Sequence, residues 1–260
     1  MSGRAAENGE VTVAVGDDLV AEVEIHRPPN NFFDQDLIAA LAVAIEDLDE
    51  RDDCRAVVLC SEGKHFCAGA NLNASRPATG TPQRHLYDEA VRLFETRTPV
   101  VAAIQGAAVG GGLGLALMPD FRVACAEARF AANFARLGFI QGFGLTVTLP
   151  RLIGPQRAME MLYTGRRVKG EEAFRIGLCD EFVAREEVRT RARALAREIA
   201  ASAPLAVRSI RQTLRGQLAS EIRAATDHEK AEQDRLRQTA DFAEGVRAMT
   251  QRRQPRFTGA

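Results

Sequence analysis

The spacing of apolar positions divides the chain into an alternating part and a helical part. "VTVAV" (11–15) and "VAEVEI" (20–25) alternate with a period near two on either side of the polar break "GDD". That is the pattern of two strands joined by a tight turn. Asp34 is placed to cap a helix in which Leu37, Leu41, Ile45 and Leu48 recur at helical spacing. "AVVLC" (56–60) and "PVVAAIQG" (99–106) are short, continuously apolar runs, as in strands covered on both faces. Short strands are predicted at 121–125 and 128–132. Helices are predicted near 83–95, 111–117, 155–163 and 171–176. "NASRPATGTPQ" (73–83) reads as a surface loop. After about residue 185 the strand signals stop, and "EEVRTRARALAREIAASAP", "PLAVRSIRQTLRGQ" and residues 219–251 all read as helix. The expected organisation is an α/β core over residues 1–200 and a helical region over 201–260.

Composition narrows the partners. Apolar residues make up 46% of the 260 and charged residues 27%, and the formal net charge is -1. That balance gives no electrostatic reason to expect nucleic acid or an anionic membrane. Cys54, Cys60, Cys67, Cys125 and Cys179 are odd in number and form no CxxC, so buried reduced thiols are expected and no metal. No 18-residue apolar run occurs, and "MSGRAAENGE" lacks the apolar core of a signal peptide. The expectation is a cytoplasmic protein.

The chemistry is concentrated in two glycine loops. "GAAVGGGLGLALMPD" (106–120) follows one predicted strand, and "HFCAGANL" (65–72) follows another. The first lacks the GK[ST] of a phosphate loop and the GxGxxG of a dinucleotide site. Two strand-to-turn junctions in one layer can instead aim backbone N–H groups at a single point. A thioester carbonyl needs such a pair when it becomes an enolate, each donor carrying about 2.7–4 kcal/mol of transition-state stabilisation.

The chain resembles the crotonase superfamily, the enoyl-CoA hydratases and isomerases. The matching stretches are "HFCAGANL", "PVVAAIQGAAVGGGLGLALMPDFRVA", "ARFAANFARLGFIQGFGLTVTLPRLIG", "YTGRRVKGEEAFRIGLCDEFV" and "RRQPRFTG", in family order along nearly the whole chain. The resemblance implies a spiral of ββα units, a C-terminal helical region that forms trimers or hexamers, and an acyl-CoA thioester as substrate with no separate cofactor. It implies oxyanion donors at the N–H groups of Ala70 and Gly111. Ala68, Asn71 and Leu72 would line the CoA path. Pro29, Asn30 and Phe257, the last from this or a neighbouring subunit, would help hold the nucleotide end.

The resemblance also marks what is missing. A hydratase of this family holds its water with two glutamates, and the aligned positions here are Gly114 and Phe134. A third acidic position used by some relatives falls on Gly142. A positioned acid or base contributes about 10²–10⁴-fold, so hydration of simple enoyl-CoA is expected to be weak. Gly114 is expected to leave room for a bulkier acyl group, a water or an anion, and replacing both positions with glutamate to raise hydration. Substitute acids and bases are sought at His85, Tyr87, Asp88 and Glu89, and at Arg136 and Gln141. Three readings follow: an enzyme of enolate chemistry with an atypical site, including C–C hydrolysis or decarboxylation; a non-catalytic acyl-CoA binder; and an oligomeric scaffold, which would not need the glycine run.

Overall fold

The computed structural model describes residues 9–70 and 84–260. It begins with β1 (Val11–Val15), β2 (Val20–Ile25), α1 (Gln35–Asp49) and β3 (Ala56–Ser61). Next come α2 (Leu86–Glu95), β4 (Val100–Ile104), β5 (Ala107–Val109) and α3 (Gly111–Leu117). After β6 (Phe121–Ala124) and β7 (Arg129–Ala131), a 3₁₀ turn (Asn133–Leu137) leads to α4 (Leu145–Ile153) and α5 (Pro155–Thr164). β8 (Arg167–Lys169), α6 (Gly170–Arg175) and β9 (Glu181–Phe182) finish the strand-bearing part. The remainder is helical: α7 (Val188–Ala200), α8 (Pro204–Arg215), α9 (Leu218–Leu236) and α10 (Ala240–Thr250).

Six strands form one sheet in the order β1-β2-β3-β4-β6-β9, antiparallel between β1 and β2 and parallel elsewhere. Successive side chains of a strand point to opposite faces. Ala21, Val23, Ile25, Val57, Leu59, Val100, Ala102 and Ile104 therefore join the main core with α1 and α2. Val20, Ala56, Val58, Cys60, Val101, Ala103 and Val123 face the other way, against Val188, Ala192, Ala196 and Ala200 of α7. The four-residue spacing puts those small side chains on one face of α7, so that helix lies close on the sheet. A second sheet, β5-β7-β8, begins directly after β4, and α3 follows its edge strand β5.

Three features depart from the sequence reading. β5 forms where only a glycine run was apparent, because Gln105 and Gly106 turn the chain out of the first sheet after Ile104. α4 escapes a pattern reading because it contains Thr146, Val147, Thr148 and Pro150, all poor helix formers. Its N-terminus is satisfied instead by the buried Glu229 carboxylate, which accepts from Gly144 N–H (2.9 Å), Thr146 N–H (3.1 Å) and Thr146 Oγ1 (2.6 Å). The helical stretch 219–251 is two helices, broken at Thr239, whose hydroxyl accepts from Phe242 N–H and starts α10. Asp34 caps α1 as expected, accepting from Leu37 N–H at 3.0 Å.

The five cysteines are free and buried. Among the described residues no helix is long and apolar enough to cross a membrane.

Phe130 is wholly buried in β7, the central strand of the sheet that carries α3. Phe130→Ala should lower the free energy of unfolding by about 3–5 kcal/mol, read from urea denaturation.

Candidate active site

Two backbones run side by side at the site. Cys67 pairs in parallel with Ala108: Cys67 N–H donates to Ala107 O (2.9 Å) and Val109 N–H to Cys67 O (3.0 Å). On the other flank Phe33 pairs with Ala70: Phe33 N–H donates to Gly69 O (3.0 Å) and Ala68 N–H to Asn30 O (2.9 Å). The loop is pinned from below. Asn31, fully buried, donates through Nδ2 to Glu62 O (2.8 Å) and His65 O (2.7 Å). Gln105 Nε2 donates to Ser61 O at 2.9 Å. His65 is part of this framework, its Nδ1 accepting from Ala107 N–H at 3.3 Å. Asn71 and Leu72 lie outside the described residues.

This pairing brings the backbone of 69–70 beside that of 109–111. Gly110 N–H is used, donating to Ala131 O at 2.8 Å. Among the described residues the N–H groups of Ala70 and Gly111 have no acceptor. The one thiol in the loop offers no nucleophile there, since burial pushes Cys67 up to about 12.

What lies against the bare backbone of α3 is protein. A Cβ on Gly111 would sit 2.3 Å from Phe33 Cζ. One on Gly112 would sit 2.2 Å from Cys67 O. One on Gly114 would sit 2.5 Å from Phe143 Cβ and 2.7 Å from Phe143 Cγ. Gly110, at φ +58°, has Phe134 Cζ at 3.8 Å from its would-be Cβ. The rings form edge-to-face pairs: Phe33 with Phe143 (6.0 Å between centroids), Phe134 with Phe139 (5.5 Å), and Phe139 with Phe242 (5.2 Å). Such pairs add about 0.5–1.5 kcal/mol each beyond their burial.

The expected room at Gly114 is therefore absent. Phe143 occupies it, held at φ +62° between Gly142 and Gly144. A bulky residue in the left-handed region is strained, and the packing that holds it must outweigh that cost. At the other two positions the resemblance singled out, Phe134 is itself an apolar ring, and a Cβ on Gly142 would collide with the Tyr87 hydroxyl.

The substitute acids and bases separate cleanly. His85 caps α2: its Nδ1 accepts from Tyr87 N–H (3.2 Å) while its own N–H donates to Asp88 Oδ2 (3.1 Å). Burial holds the His85 pKa below its ordinary value. Glu89 is buried in an ion pair with Arg92, which also pairs with Glu46. Arg136 Nε donates to Thr164 O (2.6 Å), and Gln141 Nε2 to Thr146 Oγ1 (2.9 Å). Tyr87 differs. Its hydroxyl donates to Gln233 Oε1 at 2.9 Å, and Gln233 Nε2 donates to Ile140 O and Gln141 O. Burial pushes the Tyr87 pKa far above an ordinary phenol, so it stands against Gly142 as a neutral donor. Glu229 and Gln233 escaped the sequence reading. Their only signal is the four-residue spacing that puts both on one face of α9. Phe257 is exposed on the C-terminal tail, which returns to α10 through Thr258 N–H to Asp241 Oδ1 (2.7 Å).

The contact between Gly114 and Phe143 generates a prediction. Gly114→Ala should destabilise by about 1–3 kcal/mol through overpacking. Phe143→Gly should also destabilise, by less than the usual about 3–5 kcal/mol for loss of a buried ring, because it relieves the left-handed strain. The double variant should lose less than the sum by at least about 0.5 kcal/mol. Urea denaturation of the four proteins measures this, and strict additivity would contradict the contact.

Comparison with known proteins supplies the lineage. The sequence matches the enoyl-CoA hydratase/isomerase family over residues 16–260. It is 31% identical over 249 residues to the 1,2-epoxyphenylacetyl-CoA isomerase of Escherichia coli K12, covering 92% of this chain and 95% of that one. It is 34% identical over 276 residues to an enoyl-CoA isomerase/hydratase of Zymoseptoria tritici, covering 98% and 86%. Among solved structures, an enoyl-CoA hydratase/isomerase from Pseudoalteromonas atlantica superposes with a TM-score of 0.88 at 28% identity, over 96% of this chain and all of the other. The carnitinyl-CoA hydratase of Mycobacterium avium gives 0.86 at 28% identity, over 96% and 99%. The match over residues 16–260, relatives at 31% and 34% identity and superpositions along almost the full length leave one assignment: this chain belongs to the enoyl-CoA hydratase/isomerase family.

Proposed function

We propose that the protein binds an acyl-CoA thioester, with the carbonyl oxygen between the N–H groups of Ala70 and Gly111, and stabilises the enolate form of that thioester. The observation that carries this reading is a pair of N–H groups with no acceptor among the described residues, Ala70 at its bridge with Phe33 and Gly111 at the start of α3, in two segments joined through the Cys67–Ala108 bridge. Donors fixed before the reaction need no reorganisation when charge develops on the oxygen. Relatives whose names specify CoA thioesters support the substrate class. The CoA moiety would pass Ala68, Asn71 and Leu72, with Pro29, Asn30 and Phe257 toward its nucleotide end. No separate cofactor and no metal is invoked.

The protein is a poor hydratase in this reading. Neither Gly114 nor Phe134 can hold a water for addition, and the Phe143 ring stands where the first carboxylate would project. Among the titratable candidates Tyr87 is held in neither a cap nor an ion pair, its hydroxyl donating to the Gln233 amide, and it is the group assigned to any proton transfer. The closely packed rings favour a second reading, a non-catalytic acyl-CoA binder. Tyr87→Phe separates the two: it would lower turnover with little change in binding in the first and change neither in the second.

Calorimetry with a panel of acyl-CoAs should show binding. Gly111→Pro, which removes the N–H, should abolish it, while Gly111→Ala, which meets Phe33 with the same Cβ but keeps the N–H, should retain more binding. With crotonyl-CoA, loss of the enoyl thioester absorbance should be at least about 10²-fold slower than in a two-glutamate hydratase. Gly114→Glu with Phe134→Glu should not restore it, because Phe143 must move first. Ordinary hydratase rates in the unmodified protein, or no binding of any acyl-CoA by folded protein, would overturn the reading.

We further propose a homotrimer or a pair of trimers. Leu205, Ile210 and Leu214 of α8 are more than half exposed while its arginines face inward, an inversion of the usual amphipathic order. Light scattering at micromolar concentration should give three or six times the 28.3 kDa chain mass, and a monomeric mass would contradict it.

A further inference from the structure

The segment that carries Gly111 leaves the first sheet at β4 and returns at β6. Its base is closed by one residue. Asp120 N–H donates to Val100 O at 2.9 Å, and Val100 N–H donates back to Asp120 Oδ2 at 2.8 Å. Everything from Val100 to Asp120, including β5, Gly110, Gly111 and α3, is an excursion between the two halves of that reciprocal pair.

The same carboxylate is gripped by α8. Arg211 Nε donates to both Asp120 oxygens at 3.0 Å, and Arg215 Nη1 pairs with Oδ1. Arg215 Nη2 donates to Met118 O at 2.7 Å, the carbonyl immediately beyond the last residue of α3. A cation there complements the negative end of the helix. Arg122, almost fully buried, donates to Pro119 O (3.0 Å) and Asp120 O (3.3 Å) and pairs with Asp180 (2.8 Å). Burial opposes ionisation of Asp120, but the flanking Arg211 and Arg215 outweigh it and hold the carboxyl below its ordinary value. α3 is a single short rod of seven residues. A constraint on its carboxyl end is therefore transmitted to the N–H groups at its other end.

We propose that Asp120, clamped by Arg211 and Arg215, is a positioning residue for the oxyanion hole: it fixes the carboxyl end of α3 and thereby the Gly111 N–H. This inference rests on the functional reading above only for its consequence in the bound ligand. The clasp itself is tested without ligand.

Two readouts on the full-length chain decide it. In the ligand-free protein, Asp120→Asn and Arg215→Ala should speed amide hydrogen exchange at Leu113, Gly114 and Leu115 by at least about tenfold, with the β1–β2 hairpin unchanged. With butanoyl-CoA labelled with ¹³C at the thioester carbonyl, the wild type should show a downfield carbonyl shift on binding. Both variants should bind within about threefold of the wild-type affinity, held by the CoA moiety, yet lose at least about half of that shift. Arg215→Lys, which keeps the charge, should retain more of the shift than Arg215→Ala. If Asp120→Asn does not fold, Arg211→Ala and Arg215→Ala leave the Asp120–Val100 pair intact and carry the same measurements. Wild-type exchange in folded variants would overturn the proposal, and so would faster exchange with an unchanged carbonyl shift. If the wild type binds no thioester, the functional reading fails, and exchange alone decides whether Asp120 holds α3.

Discussion

The whole site depends on how closely other groups approach the backbone at the start of α3. At Gly112 the neighbour is the Cys67 carbonyl, at Gly111 the tip of the Phe33 ring, and at Gly114 the Phe143 benzyl group. A side chain larger than hydrogen at any of the three would force its neighbour to shift. The close approach lets the loop after β3 pair with β5, and that pairing sets the backbone of 69–70 beside that of 109–111. Remove it and the loops part, whatever residues remain on them.

Polar groups then fix what close packing leaves free. Buried carboxylates and amides in this fold mostly grip backbone of a different segment. Asp49 accepts from Arg97 N–H and Thr98 N–H, both at 2.7 Å, and ties α1 to the entry of β4. Asn31 ties the loop before α1 to the loop after β3. Glu229 ties α9 to the start of α4. Each buried carboxylate or amide is stabilised by several donors or acceptors, the condition under which burial of a polar group is tolerated. In each case an N–H or C=O that a loop would leave unsatisfied is the group gripped.

Periodicity made the first half of the fold legible. β1, β2 and α1 form close to where alternation or helical spacing placed them, because each has one well-defined buried face, and β3, covered on both faces, forms where its continuous apolar run placed it. The two glycine loops were legible too, since glycines in consecutive positions after a strand have few other causes. Two things were hidden. α4 depends on a carboxylate on a distant helix, and no local pattern of "LTVTLPRLI" announces that. The neighbours of the glycines were hidden as well: a glycine read from sequence says that something is close, but not whether it is ligand or protein. Gly114 was read as vacancy, and the answer lay at Phe143, in a loop whose left-handed backbone no propensity would assign to phenylalanine.

The fit of that ring onto Gly114 bears on descent as well as on mechanism. A carboxylate side chain at Gly114 and the Phe143 ring compete for the same space, so the two positions are coupled. Exchanging the ring at 143 for a side chain at 114 one step at a time passes through a state with a void or with a collision. With the ring in place, a side chain introduced at Gly114 alone meets that collision. Two residues far apart in sequence thus behave as one inherited character, and a survey of relatives that scored either alone would misjudge which chemistries this lineage can still reach.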